Sequence, residues 1–194
     1  MFKSLKTSGQ HARLPQCWRL DYRLRGASKS KNRQPGVKLS PMKIDQYWGT
    51  YFGESADSAT FVRYLDVKPE VVSATEIFTD LGLDLLKGNF TESGCHATIG
   101  EEEFSFDSAF RVILDLSVLL IESKSVGRFN LARIGGARSR MMRIDPTPKE
   151  NVQITQALKY FSLMPEAFAV AEEFDEDQLY ELGNLCEEIR HQLD

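Results

Sequence analysis

Apolar positions recur at helical spacing in three long stretches. In DSAFRVILDLSVLLIES (107–123), Phe110, Ile113, Leu114, Ser117, Leu120 and Ile121 keep that spacing, and Val112, Leu116 and Leu119 make the remaining surface apolar as well. A helix apolar nearly all round belongs at the centre of a core, and Asp107 is its expected N-cap. At 147–150, TPKE reads as a capping box with Pro148 at the first helical position. It opens a helix through Val152, Ala157, Leu158 and Phe161 that stops before Pro165. Asp175 is placed to cap a last helix, where Leu179, Leu182, Cys186, Ile189 and Leu193 recur at spacings of 3, 4, 3 and 4. Two shorter helices come earlier. ESADSATFVRYLD has Asp57 or Ser58 as cap and Phe61, Val62 and Leu65 inward, while SATEIFTDLG pairs Ser73 with Glu76 as a capping box and ends at Gly82.

Between the helices, KIDQYWGTYF, GNFTES, CHATIG, EFSF and ARSRMMRI read as strands, with residues 100–103 connecting a hairpin. Short strands mixed with helices, without regular βαβ alternation and without an internal repeat, predict an α+β fold. The expected architecture is one domain over 42–194, a small antiparallel sheet packed against a layer of helices.

The 194 residues suffice for one domain with a proper core, and 42% hydrophobic with 27% charged residues is a globular composition. The longest apolar run, LSVLLI at 116–121, is far too short for a membrane span. Three widely separated cysteines, Cys17, Cys95 and Cys186, argue for a reducing cytoplasm rather than a disulfide framework.

Charge divides the chain. Residues 1–41 carry ten Lys/Arg and the single acid Asp21, a charge of +9, with no sustained periodicity; residues 42–194 carry 14 Lys/Arg and 27 Asp/Glu, a charge of −13. The basic segment reads as a disordered tail. Three readings stand for it: an upstream extension without a structural role, Met42 being the true start; a basic arm for nucleic acid; or an Arg-rich targeting peptide.

Catalytic and cofactor motifs are lacking. RIGGARSR has neither the lysine and spacing of a P-loop nor those of a dinucleotide site, and reads as a turn before a strand. Cys95 and His96 are adjacent and point to opposite faces of a strand, which suits one core and one surface position better than a metal site. No serine lies in a G-x-S-x-G elbow. The expectation is a protein without cofactor or metal, and not an enzyme.

Two charged features remain. Arg128, Arg133, Arg138, Arg140 and Arg143 could contact phosphate, or could pair internally with a strongly acidic domain. The second is AEEFDEDQLYELGNLCEEIRHQLD (171–194), nine carboxylates against the single arginine Arg190. Amphipathicity accounts for Asp177, Glu181, Glu187 and Glu188 lying opposite the apolar stripe. It does not account for the scarcity of balancing cations, nor for Tyr180 and Asn184 on the wet side. An exposed tyrosine among acids suits a protein–protein anchor, and a concentrated negative field steers docking to a basic surface. Trp48 and Tyr51 in YWGTYFG offer a second candidate surface, against a plain reading as core aromatics.

The segments YWGTYFGESADSATFVRYL, TEIFTDLGLDLLKGNF, FSFDSAFRVILDLSVLLIES and MRIDPTPKE, in that order, resemble bacterial immunity proteins. These are the CdiI-type partners of contact-dependent growth inhibition and related polymorphic toxins. The resemblance covers most of 42–194 and leaves out 1–41. It implies a cytoplasmic, non-enzymatic inhibitor that binds the C-terminal domain of a cognate toxin, in many cases a basic nuclease, and blocks its active site or substrate access. Direct binding to nucleic acid is then not expected. The resemblance transfers no contact residue by motif; the charge and exposure pattern offers Asp177, Tyr180, Glu181, Asn184, Glu187 and Glu188, with Trp48 and Tyr51, as partner-contacting residues. The alternative is a nucleic-acid-binding regulator using the basic tail and the arginines of 128–143.

Overall fold

A computed structural model describes residues 42–92 and 94–194; the basic tail, with the three readings attached to it, lies outside the described residues. The first element departs from expectation. KIDQY forms a short helix, α1 (Lys43–Tyr47), rather than a strand. Its local sequence supplies no side-chain cap. The cap comes from far along the chain, where the buried Glu122 carboxylate accepts the N–H groups of Lys43 at 2.5 Å and Ile44 at 3.1 Å. Ile44 and Tyr47, three apart, then face the core.

The next helix, α2 (Ala56–Val67), is capped by Ser55, ahead of both Asp57 and Ser58. Asp57 instead accepts the N–H groups of Asp107 and Ser108 at 2.9 Å each, just ahead of the central helix. After β1 (Val71–Ser73), the Ser73 hydroxyl caps α3 (Ala74–Asp80) as expected. The Glu76 carboxylate, however, joins Asp80 on the ammonium of Lys68 instead of closing the box. The described part of GNFTES, residues 88–92, forms no strand. The hairpin β2 (Cys95–Ile99) and β3 (Glu102–Phe106) turns over two residues, so Glu102 and Glu103 belong to the strand and not to the connection.

The central helix α4 (Ala109–Val126) is capped by Ser108 rather than Asp107. It is buried over fifteen consecutive residues, Ala109 to Ser123, because α1, α2, the two later helices at 148–163 and 176–193 and the strands at 129–130 and 141–145 pack around it. Two short strands follow, β4 (Phe129–Asn130) and β5 (Met141–Asp145). Arg138 and Arg140 precede β5 and are not part of it. Then come α5 (Pro148–Leu163) and α6 (Glu176–Leu193). On α5 the inward residues are Ile154, Ala157, Leu158 and Phe161, while Val152 is exposed. The start of α6 carries the capping box of Asp175 and Gln178.

The class is α+β, with two small sheets instead of one. One is the antiparallel β2–β3 hairpin; the other has the order β1-β5-β4. In it β4 runs antiparallel to β5, but β1 runs parallel, with Val72 opposite Ile144. A parallel pair needs a long crossover, and here α3, the hairpin and α4 provide it. The inward residues Phe129, Met142 and Ile144 press β4 and β5 against α4, and Val72 of β1 is buried in the same core.

Candidate partner-binding surface

On α6 the apolar stripe of Leu182, Cys186, Ile189 and Leu193 is buried, with Leu179 partly so. The polar remainder divides into two lines. Residues 181 and 188 lie two turns apart on one, and 177, 180, 184 and 187 follow helical spacing along the other.

The first line faces the N-terminal segment. The Glu181 carboxylate accepts the Tyr51 hydroxyl at 2.7 Å, and Glu188 accepts the Tyr47 hydroxyl at 2.6 Å and the Gln46 amide at 3.1 Å. The hydrogen bond to Glu181, with burial, pushes the Tyr51 phenol up to about 12; burial and then Glu188 do the same for Tyr47. Both phenols are thus firm donors, and both carboxylates serve the fold. Tyr51 is 8% exposed and stands edge-on to Phe174, which makes it a core aromatic. Trp48 is partly buried, with its indole laid over Gly53. A Cβ at Gly53 would stand 2.1 Å from that ring, and its φ of +80° also favours glycine. Of the proposed second surface, Tyr51 is therefore largely closed to a partner.

The second line faces outward. Tyr180 is 75% exposed, and Asp177 and Asn184 beside it are exposed as well. Glu187 differs from these: Arg190 grips it through two hydrogen bonds of 2.5 and 2.9 Å. That contact holds its carboxyl below the usual range. The line borders a groove of about 640 Å³ between α5 and α6, where Leu163, Leu179, Tyr180 and Gly183 meet Lys159 and Glu176. Gly183 opens this contact: the site of its missing Cβ lies 3.7 Å from the Ser162 backbone. The share of α5 in this surface is not legible in the sequence. Leu163 is 69% exposed at the helix end, and periodicity does not mark an apolar residue left outside its stripe.

Four of the five arginines are engaged within the domain. Arg133 pairs with Asp45 at 2.6 Å, Arg143 with Asp145 at 2.5 Å and Arg128 with Glu70 at 3.7 Å, while Arg140 donates to the carbonyls of Leu65 and Lys68. Among the described residues, no group of three or more His, Cys, Asp or Glu is gathered as a metal site, and no helix is long and apolar enough to cross a membrane. Cys95 and Cys186 are free and buried, and burial pushes the Cys95 thiol up to about 12.

No curated sequence and no solved structure matches the chain significantly. A family model does, over residues 43–193, and its description is Immunity protein 68. With that match over most of its length, the chain belongs to the Immunity protein 68 family of toxin-neutralising proteins.

Proposed function

We propose that this protein binds the C-terminal domain of one cognate toxin, a basic nuclease, and neutralises it by covering its active site or substrate-binding surface. The observation that carries this reading is Tyr180, 75% exposed among carboxylates on an otherwise well-packed helix. A large aromatic side chain held outward by a rigid helix loses little entropy on docking and fills a partner's pocket well. Asp177 and Asn184 flank it as polar contacts. Glu181, Glu187 and Glu188 add to the field while committed to internal partners. The −13 charge of residues 42–194 suits a partner whose own surface evolved to hold phosphate. Steering of this kind raises association rates and weakens with salt. The protein acts by occupancy, with no catalytic step, in the cytoplasm where the delivered toxin works.

The test uses the cognate toxin domain, to be sought in the gene immediately upstream of this one. Nucleic-acid cleavage by that domain is measured against increasing amounts of the protein. Occlusion predicts complete inhibition at a one-to-one ratio, relieved by excess substrate. A domain that stays fully active when saturated with the protein would sink the proposal.

A further inference from the structure

We infer that the receiving site is a continuous acidic groove crossing from the α5–α6 junction onto the 164–174 segment, and that it takes one cationic segment of the toxin. The inference rests on the toxin-binding reading above and narrows it to a place and a chemistry.

Two depressions are involved. The α5–α6 groove of about 640 Å³ and a second of about 520 Å³ over residues 166–172 share Glu166 and Leu179 in their lining. They form one trough. Its carboxylates include Glu92, Glu166, Glu172 and Glu176, set against Lys159. None of those four has a cationic partner among the described residues. This sets them apart from Glu173, which Arg111 holds at 2.6 Å, and from Glu187. The floor and rim are apolar, with Leu179 below and Leu163 and Tyr180 standing 69% and 75% exposed at the edge.

Uncompensated acids alone would describe any solvated face. Here they line a concave surface that also leaves large apolar side chains in water, a cost that a partner removes. Charge complementarity selects the occupant: a loop or extended stretch bearing lysine or arginine next to an apolar side chain. The cation meets Glu166 and Glu176, while its neighbour packs on Leu163 and Tyr180. The apolar stem of a lysine or arginine also suits such a floor.

Binding of the cognate toxin domain decides it. The double variant Glu166→Lys with Glu176→Lys is compared with Glu101→Lys at the hairpin tip combined with Glu103→Lys beside it on β3, which changes the net charge equally. Leu163→Ser tests the apolar rim without altering charge. The groove pair is expected to weaken binding at least about tenfold and Leu163→Ser by several-fold, while the tip pair has an effect of less than about threefold. Equal losses from groove and tip variants would reduce the effect to long-range charge and overturn the inference, as would unchanged binding in the groove variants. A wild-type protein that does not bind the domain at all refutes the toxin-binding reading itself, which separates the two failures.

Discussion

The Tyr51 hydroxyl donates to the Glu181 carboxylate at 2.7 Å across 130 residues of chain, tying the segment after α1 to the acidic helix α6. One of the most suggestive acids of the closing stretch is thereby a structural group. A hydrogen bond to a charged acceptor contributes about 1.5–3 kcal/mol. Tyr51→Phe is expected to lower stability by about 1–2 kcal/mol, and adding Glu181→Gln should cost less than the sum of the two single losses. Chemical denaturation of the four proteins in the cycle measures the coupling; strict additivity would contradict it.

Tyr180 makes the opposite prediction. It is 75% exposed, so Tyr180→Ala should change unfolding free energy by no more than about 0.5 kcal/mol. The same change should weaken toxin binding by about 2 kcal/mol, mainly through faster dissociation. Paired denaturation and binding-kinetics measurements check both halves.

Asp115 gives stability an unusual pH dependence. It is 1% exposed on α4 and accepts the Gly53 N–H at 2.8 Å. Burial pushes its carboxyl from 3.8 up to about 7, against the lowering effects of Ser58, Gly53 and Arg111. Because the folded value is raised, the folded state holds a proton that the unfolded chain has released. Stability from this group is therefore greatest below about pH 4, falls as pH rises, and levels off above about pH 7. The loss between about pH 5 and pH 8 is on the order of 2–3 kcal/mol. Asp115→Asn keeps the acceptor for Gly53 and removes the charge, so this slope should flatten. Denaturation of both proteins across that window measures it.

Two glycines should respond to alanine with opposite signs. At Gly53 a Cβ would lie 2.1 Å from the Trp48 ring at a φ of +80°. Gly53→Ala must therefore move the indole and strain the backbone, at a cost of about 2 kcal/mol or more. At Gly183, within α6, the nearest atom is an ordinary 3.7 Å away, and Gly183→Ala should stabilise the helix by up to about 1 kcal/mol. Thermal unfolding of the two variants shows the contrast.

Glu122 is wholly buried and caps α1 from the central helix. Glu122→Leu leaves the Lys43 and Ile44 N–H groups without an acceptor, which costs about 1–3 kcal/mol. The loss should be local first: amides of α1 should exchange with solvent faster than those of α4, as hydrogen exchange would show.

What the sequence determined by itself is the set of elements whose signals are local. The nearly all-apolar stretch of α4, the Ser73 and Asp175 caps, the turn into β5 and the stripe of Leu182, Cys186, Ile189 and Leu193 could be read because propensity, cap and period agree there over neighbouring residues. The acidity of α6 and the outward position of Tyr180 were legible for the same reason. The tertiary structure alone decided the rest. KIDQY becomes a helix because a carboxylate 78 residues away accepts the Ile44 N–H, a bond that no window around residue 44 contains. Strand β1 lies parallel to β5 because burying Val72 and Ile144 in the core outweighs the ease of a hairpin. And of the six candidate residues on α6, only packing separates those bound to Tyr47, Tyr51 and Arg190 from those left facing solvent. A helical wheel records direction from the axis, and the neighbour that fills that direction is supplied by another part of the chain.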